Sequence, residues 1–260
     1  MMQLIDTHCH LTHEYDTKTP EILVQEAKAA GVITLITIGT ELENLKKVAE
    51  ISDRFPEVYH TVGVHPHEAG TLEQGYLEAL RTAAAHPKCR AIGEIGLDFH
   101  YDHSPKSVQI ARFKEQLELA ASLDMPVVIH CREAEDEMVR CLKGYVSAMK
   151  PDSIPGVIHC FSGSQQFGHE CLDLGFYISL SGIITFKKAD DLRLATLSYP
   201  IERLLVETDS PYLAPVPFRG KKCEPSMVVH TAKKLAEIKK VSESEIARIT
   251  TENAKKVFKI

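Results

Sequence analysis

This sequence contains no apolar run approaching the roughly 18 residues that cross a bilayer, so no membrane partner is expected. Its first residues, Met1-Met2-Gln3-Leu4-Ile5-Asp6, carry neither the basic stretch nor the long apolar stretch of a secretion signal. Seven cysteines include no Cys-x-x-Cys pair, and the number is odd. Free thiols in a reduced, cytoplasmic protein are therefore expected. Positive charge is also short. Lys and Arg number 30 against 36 Asp and Glu, giving a net charge of -6 and an isoelectric point near 6.1. That argues against a broad basic face of the kind that coats duplex DNA. A polyanionic substrate would have to meet concentrated positive charge or a bound metal.

What is present is a regular alternation. The 260 residues are 44% hydrophobic and 25% charged, which suits a chain with a sizeable core. Apolar, β-branched runs predict strands at 3–7, 32–38, 58–64, 89–94, 126–130, 156–160 and 176–181, with another inside 201–209. Between them, helical spacing predicts helices over 20–31, 41–54, 72–86, 105–123, 133–148, 165–174, 192–197 and 225–238. Ser242 followed by Glu245 is a capping-box pattern that opens a terminal helix to Phe258. Residues 95–101 read as a rim loop after the fourth strand. No linker or low-complexity segment interrupts the pattern. The expected fold is α/β: one domain over 1–260, a (β/α)8 TIM barrel with an extra C-terminal helix. A doubly wound open sheet is the runner-up, but it gathers ligands at one switch point.

Chemistry collects where the strands stop. Residues two apart on a strand share a face, so His8 and His10 project together and Cys9 points away. Later apolar runs end in Glu94, His130, His159 and Asp209. In a barrel all strand C-termini open onto one mouth, so these residues converge. Taken singly, each is ordinary at a strand end; together they point to one cause. Four imidazoles and two carboxylates exceed what one catalytic zinc needs. They suit two divalent ions, Mg²⁺, Mn²⁺ or Zn²⁺, sharing a carboxylate. Glu94 is the natural bridge. His8, His10 and Asp209 complete one ion, and His130 and His159 the other. Asp209 is also the expected base for a metal-bound water. Cys9, Cys131 and Cys160 each follow a candidate ligand and are expected to face the packing layer.

These strand ends sit in longer strings: Asp6-Thr7-His8-Cys9-His10, Gly63-Val64-His65-Pro66-His67, Gly93-Glu94-Ile95-Gly96-Leu97-Asp98-Phe99, Pro126-Val127-Val128-Ile129-His130-Cys131-Arg132-Glu133-Ala134, His159-Cys160-Phe161-Ser162-Gly163 and Glu207-Thr208-Asp209-Ser210-Pro211-Tyr212-Leu213-Ala214-Pro215. Jointly they resemble the TatD family of metal-dependent deoxyribonucleases, within the amidohydrolase superfamily. The resemblance implies a TIM barrel, a divalent-metal centre and hydrolysis of nucleic-acid phosphodiesters, often from a 3′ end. It carries metal ligation onto His8, His10, Glu94, His130, His159 and Asp209, the set already reached. Two positions depart from the family pattern. Cys223 stands where Asn is usual, and Cys131 where Ser is common. No lysine ends the fourth strand, which disfavours urease-like and dihydroorotase-like chemistry.

The expected function is a deoxyribonuclease of 3′–5′ exonuclease type, with a metal-bound hydroxide as nucleophile. Asp209, Glu94 and His65 are the expected catalytic residues. His65, Arg132, Arg219 and Lys221, and less so Lys222, are the expected holders of phosphate oxygens. Phe99, Tyr101, Phe161 and Tyr212 either stack on bases or pack. His67 and His100 are weaker candidates, and His13, His60, His86, His103, His169 and His230 read as ordinary. A monomer acting on single-stranded DNA or frayed 3′ ends is expected, because the acidic chain lacks a broad phosphate-binding face. The same metal site would also serve a D-aminoacyl-tRNA deacylase or another ester or phosphoester hydrolase. A non-catalytic binding barrel requires lost ligands, and none is lost.

Overall fold

A computed structural model describes residues 2–101 and 103–260. Eight parallel strands form one sheet in sequence order. They are β1 (Leu4–Cys9), β2 (Val32–Thr37), β3 (Val58–Val62), β4 (Cys89–Asp98), β5 (Val127–Arg132), β6 (Gly156–Ile158), β7 (Tyr177–Leu180) and β8 (Leu204–Val206). The helices that follow them are α1 (Pro20–Ala29), α2 (Leu45–Arg54), α3 (Tyr76–Ala84), α4 (Lys106–Leu123), α5 (Glu135–Ala148), α6 (Gln165–Asp173), α7 (Asp190–Ser198) and α8 (Val228–Lys239), with α9 (Glu243–Phe258) last. Between β8 and β1 there is no continuous ladder. The ring meets there through Asp209 N–H to His8 O at 2.9 Å and His10 N–H to Ser210 O at 2.8 Å. The result is a nearly closed TIM barrel.

The apolar strands are buried on both faces, as parallel strands are. Their outward residues join the helices in one core. Ile5, Ile36, Ala91, Val128, Val157, Tyr177 and Leu205 form a second, inner cluster. Ala254, Val257 and Phe258 of α9 belong to that inner cluster. The extra helix therefore plugs the N-terminal end of the barrel. Asn253 Nδ2 fastens it to the Leu204 carbonyl at 2.9 Å, and Thr251 Oγ1 to that of Gln3 at 2.9 Å. Its start is capped as its sequence predicts, Ser242 Oγ accepting the Glu245 N–H at 3.1 Å.

Two strands break their alternation, and both breaks aim candidate ligands inward. On β1, Ile5 faces the barrel interior and Leu4 the helices. Strict alternation would turn His8 and His10 out with Leu4. The pairing with β2 slips between Asp6 and Cys9, and Cys9 packs in the outer core instead. On β4, Ala91 faces inward and Ile92 outward, and the pairing with β5 slips between Ile92 and Ile95. Ile95 and Leu97 then pack outward, which leaves Glu94 and Asp98 facing the mouth. Slips of this kind re-aim side chains beside functional sites.

The expected rim loop over 95–101 is corrected here. β4 runs on to Asp98, pairing Ile95 with Ile129, Gly96 with His130, Leu97 with Cys131 and Asp98 with Arg132. Gly96 allows the two strands to approach there. The helix expected over 72–86 starts late, at Tyr76, after a 3-10 turn over Pro66–Thr71. Other expected elements differ only at their ends.

Candidate metal centre

The C-terminal ends of the strands surround a cavity of about 800 Å³. His10, Glu94, His130, His159 and Asp209 border it, and His8 lies fully buried beneath. The six expected ligands are therefore brought together. Glu94 sits among them with its two oxygens turned to different neighbours. Oε2 lies 3.3 Å from His8 Nε2. Oε1 lies 2.8 Å from His159 Nε2, 3.1 Å from His130 Nδ1 and 3.5 Å from His65 Nε2. Asp209 Oδ1 lies 3.4 Å from His10 Nε2 and 3.6 Å from His8 Nε2, and those two nitrogens are 3.3 Å apart. Three sets of donor atoms are close enough to hold an ion: His8 with Glu94 and His159, His8 with His10 and Asp209, and His65 with Glu94 and His130.

The second nitrogen of each ring decides what the first can offer. His130 Nε2 is 3.0 Å from Asp98 Oδ2, so its proton sits there and the Nδ1 lone pair faces Glu94. His159 Nδ1 is 3.4 Å from Glu207 Oε1, which leaves Nε2 as the lone pair. Neither buried nitrogen of His159 makes a well-aligned hydrogen bond despite the carboxylate beside each, an arrangement that suits an ion at Nε2. His65 is different. Its Nδ1 accepts the His67 N–H at 3.2 Å. The neutral ring then carries its proton on Nε2 and presents a donor to the cavity, not a lone pair. His65 is accordingly set apart from the ligands.

The charges are mutually tuned. Burial alone raises a carboxyl, but the His159 and His65 rings, with His130 close beside them, hold Glu94 well below the usual range. Burial likewise opposes ionisation of Asp209, and His10, His8 and His159 overcome it to lower the group. Burial, with His159 beside it, lowers His8, and burial lowers His65 well below the ordinary imidazole value. Burial opposes charge on His130 and His159, but Asp98 and Glu94 raise the first, and Glu94 and Glu207 raise the second well above the ordinary value, so a divalent cation would take the place of protons in this donor set. The residues fit the metal that the sequence calls for.

Three carboxylates carry the site without having been singled out from the sequence. Asp98 is buried, and its Oδ2 accepts from His67 and His130, each at 3.0 Å. Its Oδ1 accepts the N–H groups of His100 and Tyr101, each at 3.0 Å. Glu207 is buried below His159, and its Oε1 accepts the Cys160 N–H at 2.6 Å. Asp6 ties β1 to the end of β8, accepting the Thr208 N–H at 2.9 Å and the Thr208 hydroxyl at 2.6 Å. Only the spacing Glu207-x-Asp209, two carboxylates on one strand face, signalled any of this in advance.

Burial pushes the Asp6 carboxyl up to about 8, against the pull of its Thr208 bonds. The folded chain thus keeps a proton that the unfolded chain gives up near 3.8. The folded state then binds more protons, so this group costs stability as pH rises from about 4 to about 8. Asp6→Asn keeps an acceptor for the Thr208 N–H and offers an amide donor to the Thr208 hydroxyl oxygen, without an ionisable group. Urea unfolding of metal-free protein at pH 5 and pH 8 should show a flatter pH dependence in the variant. Identical slopes would contradict the assignment.

The expected phosphate holders separate. His65 and Arg132 border the cavity, the Arg132 guanidinium lying 4.7 Å over the Tyr101 ring. Arg219 lies 3.8 Å over the Phe186 ring and bonds the Ala214 carbonyl, away from the cavity lining. Lys221 stands 5.8 Å over Phe218, and Lys222 pairs with Asp16; neither borders the cavity. His67 and His13 line it, though the sequence made little of them. His100 pairs with Glu133 at 2.6 Å. The seven cysteines are free thiols. Cys9 packs in the outer core as expected; Cys131 packs against that core but also borders the cavity, and Cys160 does not follow alternation. Its φ of 43° ends the strand, and its Sγ lies 3.3 Å from Ser181 Oγ at the cavity wall.

A family model described as TatD related DNase matches residues 5–259. An uncharacterized metal-dependent hydrolase of Bacillus subtilis (strain 168), YabD, is 40% identical over 258 residues, covering 99% of each chain. A protein of Klebsiella pneumoniae (strain 342) named 3′-5′ ssDNA/RNA exonuclease TatD is 34% identical, covering 99% of this chain and 98% of that one. The crystal structure of YjjV, a TatD homologue from Escherichia coli K12, superimposes with a TM-score of 0.92 at 32% identity, covering 99% of this chain and 98% of that one. Among the described residues, no helix is long and apolar enough to cross a membrane.

Proposed function

Because this chain belongs to the TatD related DNase family of metal-dependent hydrolases, we propose that it removes nucleotides from the 3′ end of single-stranded DNA at a dinuclear divalent-metal centre. The observation that carries the reading is Glu94, one carboxylate with its two oxygens turned toward different sets of ring nitrogens. His8, His10 and Asp209 would share one ion with it, and His130 and His159 the other. Bound Mg²⁺, Mn²⁺ or Zn²⁺ supplies Lewis acidity to the phosphoryl oxygens and makes water a better nucleophile.

The chain's own side chains do the rest. Asp209 borders the cavity and keeps part of its carboxylate exposed, so it can take a proton from the attacking water. The water oxygen bonds to phosphorus as the bond to the 3′ oxygen breaks, and that oxygen takes a proton from solvent. His65 offers its Nε2–H to a non-bridging oxygen, where negative charge grows. Arg132 is the one Lys or Arg bordering the cavity among the described residues. So little positive charge, in a chain of net charge -6, supports a single strand end over intact duplex. All six ligands come from one chain, which supports a monomer. The free thiols support a reducing, cytoplasmic setting.

The test is digestion of a 5′-labelled single-stranded DNA oligonucleotide by metal-stripped protein, then with Mg²⁺, Mn²⁺ or Zn²⁺ restored. A metal-dependent ladder of shortening products is expected. No cleavage with any metal, by protein shown to bind two ions, would overturn the proposal and direct attention to charged tRNA or small phosphoesters.

A further inference from the structure

The four aromatic residues near the mouth do not share one fate. Phe161 is buried and stacked on Phe167, with centroids 5.8 Å apart. Phe99 packs on the outer core beneath Lys106, 4.7 Å from its ring. Tyr101 and Tyr212 remain 44% and 52% exposed, and both border the metal cavity. The other large exposed hydrophobic side chains, Ile22, Leu194, Leu197 and Val216, lie away from it. Exposure of big rings is thus concentrated at the one place where a ligand must enter.

Topology sets the two rings apart. Tyr101 follows β4 and Tyr212 follows β8, and the strands run in sequence order round the ring. Strands four and eight of an eight-strand ring stand opposite each other. Glu94, His130, His159 and Asp209 lie between. Both rings are braced by their neighbours. The Tyr101 N–H is held by Asp98 Oδ1 at 3.0 Å, its edge meets His67 at 5.6 Å and 86°, and Arg132 covers one face. The Tyr212 N–H is held by the Asp209 carbonyl at 2.9 Å, and its hydroxyl lies 3.3 Å from His13 Nδ1. Its edge-on contacts with His10 and His13 are 6.0 and 5.9 Å.

We infer that Tyr101 and Tyr212 are paired stacking platforms that each take one unstacked nucleobase, one on either side of the scissile phosphodiester. The inference rests on the proposed nuclease activity and names what that site reads: the π-faces of two bases, not their edges. Stacking on a rigid ring is indifferent to base identity because every base has a face. The Arg132 guanidinium over one face of Tyr101 stiffens that platform and keeps a charge near the strand. A base-paired end cannot offer two splayed bases without unpairing, so the platforms select single strands.

The experiment uses the metal-loaded enzyme on a short single-stranded oligonucleotide. It is repeated with an oligonucleotide lacking a base at one of the last two 3′ positions. Tyr101→Leu and Tyr212→Leu are each expected to raise KM roughly tenfold, within a range of about 5- to 100-fold. The double variant should show about the product, since the rings share no partner. Tyr→Phe at either position keeps the face and should restore KM. The wild type should bind the abasic oligonucleotide correspondingly worse, and one of the Leu variants should no longer distinguish it. A second readout avoids turnover: in chelated protein, 2-aminopurine near the 3′ end should be quenched by the wild type and less so by the Leu variants. Wild-type KM in both Leu variants, with the abasic and normal strands treated alike, overturns the inference and leaves the nuclease reading intact. Failure of the wild type to bind or cleave any single strand overturns the nuclease reading itself.

Discussion

Glu94→Ala is expected to lower kcat by about 10³-fold or more while the barrel stays folded. Each tenfold corresponds to about 1.4 kcal/mol of barrier, so the loss is on the order of 4 kcal/mol. The size follows from position. Glu94 is the one carboxylate within 3.5 Å of His8, His65, His130 and His159 together. Removing it takes one ligand from each of the two proposed ions and the counter-charge from a buried group of imidazoles. Metal content should fall with activity, which separates this effect from loss of a purely catalytic group. Glu94→Gln is the sharper comparison, because it keeps the volume and one acceptor but not the charge. Elemental analysis of the purified variants and single-turnover cleavage check both points. A variant with wild-type turnover would end the case for a shared carboxylate.

Gly96→Ala is expected to be the most damaging small substitution in the barrel. Gly96 has φ of 148° and pairs with His130 across β4 and β5. A Cβ there would lie 1.9 Å from the His130 carbonyl oxygen and 2.9 Å from its carbonyl carbon. Nothing flexible can yield, because both atoms are backbone. The strands must part or β5 must shift, and His130 moves with it. The expected cost is about 3 kcal/mol or more, roughly 6–12 °C in Tm for a chain of this size. Gly75→Ala is the control. It also has a positive φ, 94°, but a Cβ meets nothing within 4 Å, so only the left-handed conformation is strained, by about 1 kcal/mol. Thermal unfolding of the two variants side by side reads the difference. Equal melting temperatures would contradict a backbone contact between β4 and β5 at Gly96.

The same strand also shows where reading the sequence stopped. Eight strands were legible because strands buried on both faces leave long β-branched runs. The ligands were legible because each ends such a run. Asp98 was not, because its part of the strand, after Glu94, read as a rim loop. Its importance comes from His67 and His130, which only the folded barrel brings to one oxygen. Glu207 and Asp6 were silent for a similar reason. Their partners, Cys160 and Thr208, are 47 and 202 residues away in the chain. The inward aim of His8, His10 and Glu94 looked like plain alternation but depends on two slips of register. The charges of the loop after β8 were expected to hold phosphate oxygens, but Arg219 and Lys221 settle on Phe186 and Phe218. For the aromatics, one-dimensional pattern could not separate a stacked core ring such as Phe161 from an open one such as Tyr212.

The join between β1 and β8 has a consequence for when this protein becomes a catalyst. His8 and His10 leave the ribosome early; Asp209, and Thr208 to which Asp6 is tied across 202 residues, leave late. The inner plug formed by α9 comes later still. Until the last strand docks beside the first, one half of the ligand set has no partner. A growing chain therefore carries histidines but no working centre, and hydrolysis switches on only at the closing of the ring. An ion held by His8, His10 and Asp209 would span that same junction, so the group proposed to serve chemistry would also be a clasp that keeps the ends of the sheet together.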